Sequence, residues 1–561
     1  MGLKLLLKLP RTEYDTRAIL RWLWRAWRGN RLQAILNATV GLLGVVVSLA
    51  QVTAVKHAID VASGTMSGNV LRAVGWMAVL VLLDFGLNIS SIWIKNILGI
   101  KAQNRMQQQI VDRLLRSEWK GKEKRHSGDV LNRLEFDVET VVSFLTETIP
   151  SAISILAMFL GAFFYLFSMD HLLAVITVAV FPLFLLVSKI YVRQMRRLNR
   201  QVRNYDSKVQ SVLQETIQHR ALIKTLESDD IMIGRLEHTQ GHLRHRVVRR
   251  TKFRVFSNLI LNTGFTFGYL LAFLWAAIRM SRHTLTFGGM TAFLQLVNRI
   301  QGPARDLAKL VPAYVGVYTA AERLMELEDD PMEKQGDPIE LDPPCGIRMK
   351  GVTFEYDSAD GDVIRNLSFD FTPGSSTAIL GETGAGKTTL IRLLFAFLHP
   401  QEGSIEIYNE EGAQPLTPLH RCNFVYVPQG NTLMSGTIRE NLCLGKLNAT
   451  DEEMKEALRK SCAEFVFDLP DGLATVCSEQ GGGLSEGQAQ RISIARSLLR
   501  NRSIMIFDEA TSALDPETEH RLLQNLLLAH DKTILFITHR PAVVAYCDQS
   551  LRINKIKEPT H

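Results

Sequence analysis

The sequence predicts two parts of different fold class: an α-helical transmembrane domain of six spans, followed by an α/β P-loop nucleotide-binding domain. Three observations predict it. Long charge-free apolar runs are confined to the part of the chain before Glu328. Prolines are scarce there too: of 18, only Pro10, Pro150, Pro182 and Pro303 precede position 312. Beyond Pro344 the pattern changes to short β-rich runs around Gly381-Glu382-Thr383-Gly384-Ala385-Gly386-Lys387-Thr388-Thr389, which fits G-x-x-x-x-G-K-[ST].

The spans come first in the chain. Leu20–Arg31 interleaves Trp22, Trp24 and Trp27 with Arg21, Arg25, Arg28 and Arg31, the composition of a helix lying at the cytoplasmic membrane surface. Met1–Pro10 has no long apolar core with a cleavage site, so it does not read as a cleaved signal peptide. Ala34–Val55 carries no charge and is long enough to cross roughly 30 Å of hydrocarbon. Ala73–Ile94, Ile149–Met169, Leu172–Ser188 and Val255–Ile278 are the next four spans. The sixth begins near Leu285 and is interrupted by Asn298, Arg299, Arg305, Asp306 and Lys309, as expected of a helix that lines a polar cavity or leaves the bilayer early. Asp84 falls in mid-span, where a carboxylate serves either a helix–helix hydrogen bond or substrate or proton binding.

Charge sets the orientation. Lys101–Arg133 and Lys189–Arg254 are rich in Lys and Arg, whereas Asp60–Asn69 and Ser168–His171 have none. The positive-inside rule makes the basic segments, and both termini, cytoplasmic. Arg279 and Arg282, in the third outer loop, go against this trend. The net charge of +7 then belongs to intracellular loops and not to a nucleic-acid face. The two long loops lack Pro and keep helical periodicity, so they extend the membrane helices into the cytoplasm, turning near Trp119–Gly128 and Gln218–Glu227. The expected domains are 1–328 (membrane), 329–346 (a Pro- and Asp-rich linker) and 347–561 (nucleotide-binding). The six cysteines form no CxxC pair and read as reduced core thiols.

In the nucleotide-binding part, a strand Thr377–Leu380 leads into the P-loop, and a helix follows from Thr389. Backbone N–H groups of such a loop point at an anion. Gly384 and Gly386 admit phosphate without a clashing Cβ, Lys387 reaches the β- and γ-phosphates, and the Thr388 hydroxyl faces Mg²⁺. Five stretches follow in order. Phe424–Gln429 is a strand ending in Gln429, placed for Mg²⁺ or the attacking water. Leu484-Ser485-Glu486-Gly487-Gln488 opens a helix after Gly481-Gly482-Gly483. Ser503–Glu509 is an apolar strand ending in two acids, Asp508 for Mg²⁺ and Glu509 for the water. Ser512–Asp515 comes next, and Thr533–Thr538 is a strand delivering His539.

In these residues Ile347–His561 resembles the ATP-binding cassette family, and the Leu484–Gln488 signature is absent from other P-loop NTPases. The resemblance makes Tyr356 the aromatic that stacks on adenine, Gln429 the Q-loop, Glu509 the catalytic base, Asp515 the D-loop acid and His539 the switch histidine. Ser485, Gly487 and Gln488 become contacts to the nucleotide of a second cassette, and Thr475–Gly482 the segment that meets the membrane domain. The first part resembles a type I exporter half-transporter: Ser127–Leu134 with Asp137 is similar to that family's first intracellular loop, and Ala320–Leu324 to its exit from the sixth helix.

The resemblance implies an integral, multi-pass protein of the bacterial inner membrane that binds ATP and Mg²⁺. It would work with a second half-transporter chain, in contact with membrane lipid, by alternating access. A homodimer is the first expectation, because Glu509 and His539 are retained; a heterodimer is the other, since Glu486 stands where the signature usually has Gly. Export is the leading function. An importer on the same fold, siderophore-like, and an ATP-gated channel or regulator are the alternatives.

Overall fold

The computed structural model describes residues 14–29, 31–119, 127–179, 181–356, 362–477, 483–528 and 531–555. The Met1–Pro10 segment, the Asp360-Gly361 turn, positions 120–126 of the expected first turn, and positions 478–482 before the signature lie outside them. The chain forms two compact units: residues up to Asp112 with Ser127–Asp329, and Arg113–His126 with Asp330 onward. The short segment Arg113–Trp119, expected in the membrane domain, thus packs with the nucleotide-binding part.

The first unit is helical. An amphipathic helix, Thr16–Arg28, precedes Arg31–Ala62. Val70–Trp93 continues through one π-helical turn, Ile94–Leu98, into Gly99–Arg116. The chain resumes at Ser127 and reaches Ile149–Met169; then come His171–Ala179, Phe181–Gln218, Arg220–Thr225, Asp229–Ser281 and Phe287–Glu328. Among the described residues, four helical stretches are long and apolar enough to cross a membrane: Arg31–Ala62, Val70–Arg116, Gly128–Met169 and Asp229–Ser281. The expected fourth span is divided between His171–Ala179 and the start of Phe181–Gln218. The sixth lies within Phe287–Glu328, whose charges at Arg299, Arg305, Asp306 and Lys309 dilute its hydropathy. Val52, Ala162, Leu166, Ala272, Ala276, Phe293 and Leu296 form the shared apolar core.

Polar clamps fix this bundle where apolar contact has no direction. Buried Asp60 accepts from Gly288 N at 3.1 Å, joining the first and last long helices. Buried Asp170 accepts from Leu173 N, from Trp275 Nε1 at 3.1 Å, and from Arg279 Nη1. That pairing gives Arg279 its reason for breaking the charge trend. Asp84 is half-buried, faces Arg299 electrostatically, and lines a cavity of about 380 Å³ with Asn88, Ser91 and Asp306.

The two family-like motifs of this unit meet. Arg133, its side chain 11% exposed, donates to Asp129 at 2.8 Å, to Glu326 at 2.6 Å and to the Arg323 carbonyl at 2.7 Å. Arg323 reaches Asp129 at 2.8 Å and Asp137 at 3.0 Å. The stretch that starts at Ser127 is thereby tied to the end of the last helix.

In the second unit an antiparallel sheet runs Asp362–Phe371, Gly346–Glu355, Glu402–Asn409, Gly412–Pro415. A parallel sheet runs Gln549–Ile553, Ser376–Gly381, Thr533–Ile537, Ile504–Asp508, Phe424–Val427. Every residue of Thr533–Ile537 is buried, which is why that strand is an unbroken apolar run rather than an alternating one. Ile347, Phe371, Ile379, Leu390, Ile506 and Leu535 share the core that both sheets contribute to. A separate helical lobe packs Ile438–Cys443 and Asp451–Lys460 against Glu486–Arg500 through Leu442, Met454, Leu458 and Ile492. All six cysteines are free thiols, and burial pushes that of Cys547 up to about 11.

Replacing Arg133 with Ala removes the cation shared by Glu326 and Asp129, of which Asp129 keeps Arg323; both carboxylates are about a third exposed, so the loss is about 1–3 kcal/mol. Thermal unfolding of the purified protein is expected to shift down accordingly, and adding Glu326→Gln to Arg133→Ala to recover part of the loss.

Candidate nucleotide site

Four strands of the parallel sheet point the same way, so their carboxyl ends share one edge. Ser376–Gly381 delivers the P-loop there, Ile504–Asp508 ends on Asp508 and Glu509, Phe424–Val427 leads to Gln429, and Thr533–Ile537 leads to His539. Sheet topology, not sequence proximity, brings these residues together.

The P-loop has the backbone of an anion cradle. Gly384 and Gly386 take φ values of +82° and +100°, and Gly386 directly precedes the helix Lys387–Leu394. A Cβ on Gly386 would stand 3.0 Å from the Val363 carbonyl. Ala385 is buried and its N–H donates to the Glu382 carbonyl at 3.1 Å, closing the turn. Glu382, Thr383, Gly384 and Thr388 are exposed along the cradle, while Thr389 is buried. Lys387 Nζ donates to the Gly381 carbonyl at 2.9 Å, touches His539 Nε2, and lies 3.9 Å from Glu509 Oε1. The glycine backbone, the lysine and the exposed threonine fit a polyphosphate.

The acids beside the cradle are held by specific partners. Gln429 Nε2 donates to Glu509 Oε2 at 2.8 Å, and His539 Nε2 lies 3.5 Å from Glu509 Oε1. Glu509 has φ of +48°, a region that costs a non-glycine residue about 1–3 kcal/mol. Its N–H donates to the Ile537 carbonyl at 2.9 Å, and its carbonyl accepts from buried Gln490 Nε2 at 3.3 Å. Asp508 accepts from Tyr426 OH at 3.1 Å. Burial, then the neighbouring Glu509 carboxylate, pushes the Asp508 carboxyl above its ordinary range; burial and Asp508 likewise push the Tyr426 phenol up.

Sequence reasoning missed three supports. Tyr426 sits inside an otherwise apolar strand, where the sole signal was a polar group that burial obliges to find a partner, and Gln490 sits in a mixed helix where nothing marked it as buried. Arg540, next to His539, donates to Glu519 at 2.8 Å and to the Ser512 carbonyl at 2.8 Å, pinning the loop after Glu509. Asp515 caps the next helix by accepting from Thr518 N at 3.0 Å, and that bond lowers its carboxyl.

The signature is built separately. Ser485 Oγ accepts from Gln488 N at 3.2 Å, and Gln488 Oε1 accepts from Ser485 N at 2.9 Å, a capping box that fixes the start of Glu486–Arg500. A Cβ on Gly487 would stand 2.7 Å from the Ala513 carbonyl, so this helix start needs glycine to approach the loop after Glu509. Among the described residues no hydrogen bond or ion pair joins Ser485, Gly487 or Gln488 to the P-loop of the same chain.

Tyr356 stands beside the P-loop helix. Its hydroxyl is 3.1 Å from Thr389 Oγ1 and accepts from Arg392 Nη1 at 3.1 Å. The Arg392 guanidinium in turn lies 4.1 Å from the ring centroid of Trp119. Trp119 also meets Phe397, at 6.0 Å between centroids, and its strand-like neighbour Ser117 bridges to Met332.

A membrane part ahead of this cradle, its two acids and a separate capped signature defines a membrane-bound nucleotide hydrolase. Two family models match in the same order: the ABC transporter transmembrane region over residues 35–304, and the ABC transporter model over 364–512. The chain belongs to the ATP-binding cassette (ABC) transporter family, as a half-transporter whose cassette binds and hydrolyses ATP. It is 29% identical over 501 residues to an uncharacterized ABC transporter ATP-binding protein, y4gM, of Sinorhizobium fredii, covering 87% of this chain and 85% of that one. It is 29% identical over 464 residues to an ATP-dependent lipid A-core flippase of Bordetella avium, covering 82% and 78%. The structure of a bacterial Atm1-family ABC exporter with ATP bound has the same fold, with a TM-score of 0.74, 23% identity and 94% of each chain covered.

The raised Asp508 carboxyl sets a sign for stability. A carboxyl raised in the fold stabilises it while protonated, and this contribution is lost as pH rises through the folded value. Asp508→Asn is therefore expected to raise the melting temperature of the nucleotide-free protein at neutral pH. The gap from the native protein should narrow in mildly acid buffer. An unchanged gap across that range would contradict the assignment of burial as the cause.

Proposed function

We propose that two copies of this chain form an ATP-driven exporter with two equivalent composite ATP sites. The observation that carries it is the separation just described: Lys387, Gln429, Glu509 and His539 converge, while the chain's own signature makes no bond to its P-loop. A second chain must bring Ser485, Gly487 and Gln488 to that cradle. Retention of Glu509 and His539 supports two copies of this chain over a partner of unequal activity.

Roles follow from the geometry. Lys387 and the P-loop amides hold phosphate by charge-assisted bonds. Thr388, Gln429 and Asp508 are the oxygen donors for Mg²⁺, which when bound neutralises phosphate charge. Glu509 orients and deprotonates the attacking water, kept in place by Gln429 and faced by His539. Tyr356 stacks on adenine, as its place beside Thr389 allows. The basic cytoplasmic segments place both termini in the cytoplasm of a bacterial inner membrane. Export of an amphiphile fits the names of the curated relatives, one of which is a lipid A-core flippase.

Inverted membrane vesicles test this reading. With the chain expressed alone, ATP is expected to drive a fluorescent amphiphile into the lumen, with vanadate-sensitive hydrolysis. Glu509→Gln keeps the side chain's shape and its bond to Gln429 but removes the base, so turnover should fall about a hundredfold or more while ATP binding persists. A monomeric, inactive chain rescued only by a different cassette protein would sink the homodimer.

Trp119 links the chain leaving the second long helix to Arg392 on the P-loop helix, through a cation–π contact of about 0.5–2 kcal/mol. Trp119→Ala is expected to leave ATP affinity within severalfold of native while abolishing stimulation of hydrolysis by transported amphiphile. Both are read in the same titration.

A further inference from the structure

The amphipathic helix Thr16–Arg28 and the helix Gly99–Arg116 enclose a cavity of about 220 Å³ in the first unit. Arg25 lines one wall and Arg105 the other; Trp22 and Met106 supply an apolar floor, and Glu328 closes one end. Two hydrogen bonds hold the walls. Arg105 Nη1 donates to the Gly29 carbonyl at 2.9 Å, and Trp22 Nε1 donates to Glu328 Oε2 at 2.8 Å. The one carboxylate of the cavity is thus engaged. Arg25 is exposed and has no hydrogen bond or ion pair among the described residues, and Arg105 uses one of its five N–H groups.

The depth of the cavity identifies what it meets. The next helix starts at Arg31 and becomes charge-free from Ala34, roughly 5 Å further along its axis at 1.5 Å per residue. On the same amphipathic helix, Trp24 and Trp27 have ring centroids 4.8 Å apart, and the Arg31 guanidinium lies 5.2 Å from the Trp27 ring. Tryptophan rings interleaved with cations at the end of an apolar span mark the headgroup layer. Two guanidinium groups lining one cavity there, with apolar side chains for the start of an acyl chain, match a phosphodiester whose headgroup carries no ammonium better than a zwitterionic one, whose ammonium they repel.

We infer that this cavity binds the phosphate of an anionic phospholipid headgroup, held by Arg25 and Arg105. The inference is independent of cargo and of the direction of transport; it needs only that the apolar helices cross a bilayer. A soluble phosphate offers the same chemistry, so the test separates the two sources.

Native mass spectrometry of the full-length protein in detergent, titrated with phosphatidylglycerol, phosphatidylcholine or inorganic phosphate, reads this directly. Phosphatidylglycerol should bind more tightly than phosphatidylcholine, and Arg25→Ala should weaken it about fivefold. Arg282→Ala, at the far end of a span, should leave it unchanged. In vesicles containing brominated phosphatidylglycerol, tryptophan fluorescence should be quenched more in the native protein than in Arg25→Ala. This second readout uses folded, inserted protein. Equal affinity for the two lipids, or equal phosphatidylglycerol affinity in native and Arg25→Ala proteins, overturns the site. Displacement of phosphatidylglycerol by equimolar inorganic phosphate assigns the cavity to a soluble anion and overturns the lipid assignment.

Discussion

Two carboxylates at the end of one buried strand constrain the cassette more than any other feature. Asp508 and Glu509 are adjacent in sequence, and Asp508 lies deep enough that its ionised form is disfavoured. Like charges this close need separate surroundings. The backbone supplies them: Glu509 turns out of the strand at positive φ, so its carboxylate faces Gln429, His539 and Lys387 while Asp508 faces Tyr426. The strain of that turn is held by the Ile537 carbonyl on one side and Gln490 on the other. Gln490 belongs to the helix that the signature opens, and Arg540 follows His539. The signature helix, the switch strand and the loop after Glu509 therefore all bear on one backbone geometry.

The helical unit obeys a different constraint. Apolar helices in lipid gain little direction from burial, so the specific contacts are polar and lie mainly near helix ends: Asp60 with Gly288, Asp170 with Trp275 and Arg279, and Arg133 with Asp129 and Glu326. Asp170 and Arg279 show how such a clamp bends a sequence rule. Arg279, in the last turn of its helix, breaks the charge trend because it pairs with a buried carboxylate.

The nucleotide cradle was legible because its chemistry forces particular residues into short stretches: glycines where φ is positive, Lys387 beside them, acids at a strand end. The first three spans, the fifth and the turn at Gln218–Glu227 were legible from hydropathy and periodicity. Tyr426, Gln490 and Arg540 were not, since each acts across sheet neighbours that are distant in sequence. The ion-paired meeting of Ser127–Leu134 with Ala320–Leu324 was likewise invisible, because each motif reads alone as a solvated helix with mixed charge. Assignment of Arg113–Trp119 to the cassette unit also escaped the sequence: a helix that runs past its last apolar turn gives no composition signal for where its packing partner changes.

The signature shows how local structure bears on the symmetry of the proposed dimer. Ser485 and Gln488 bond each other, so the helix start is formed within one chain before any partner arrives. Gly487 packs under the Ala513 carbonyl, which ties that start to the loop following the chain's own Glu509. Glu486, the departure from the usual glycine, is exposed and stands in the first turn, where a helix N-terminus favours a carboxylate by about 0.3–1 kcal/mol. It can be accommodated without rebuilding the cap, because neither of the cap's hydrogen bonds involves its side chain. In the proposed pair of identical chains the same carboxylate would stand at both sites, so any repulsion it exerts on nucleotide would be equal at the two. Glu486 by itself therefore sets a common affinity and gives no reason for one site to fail before the other.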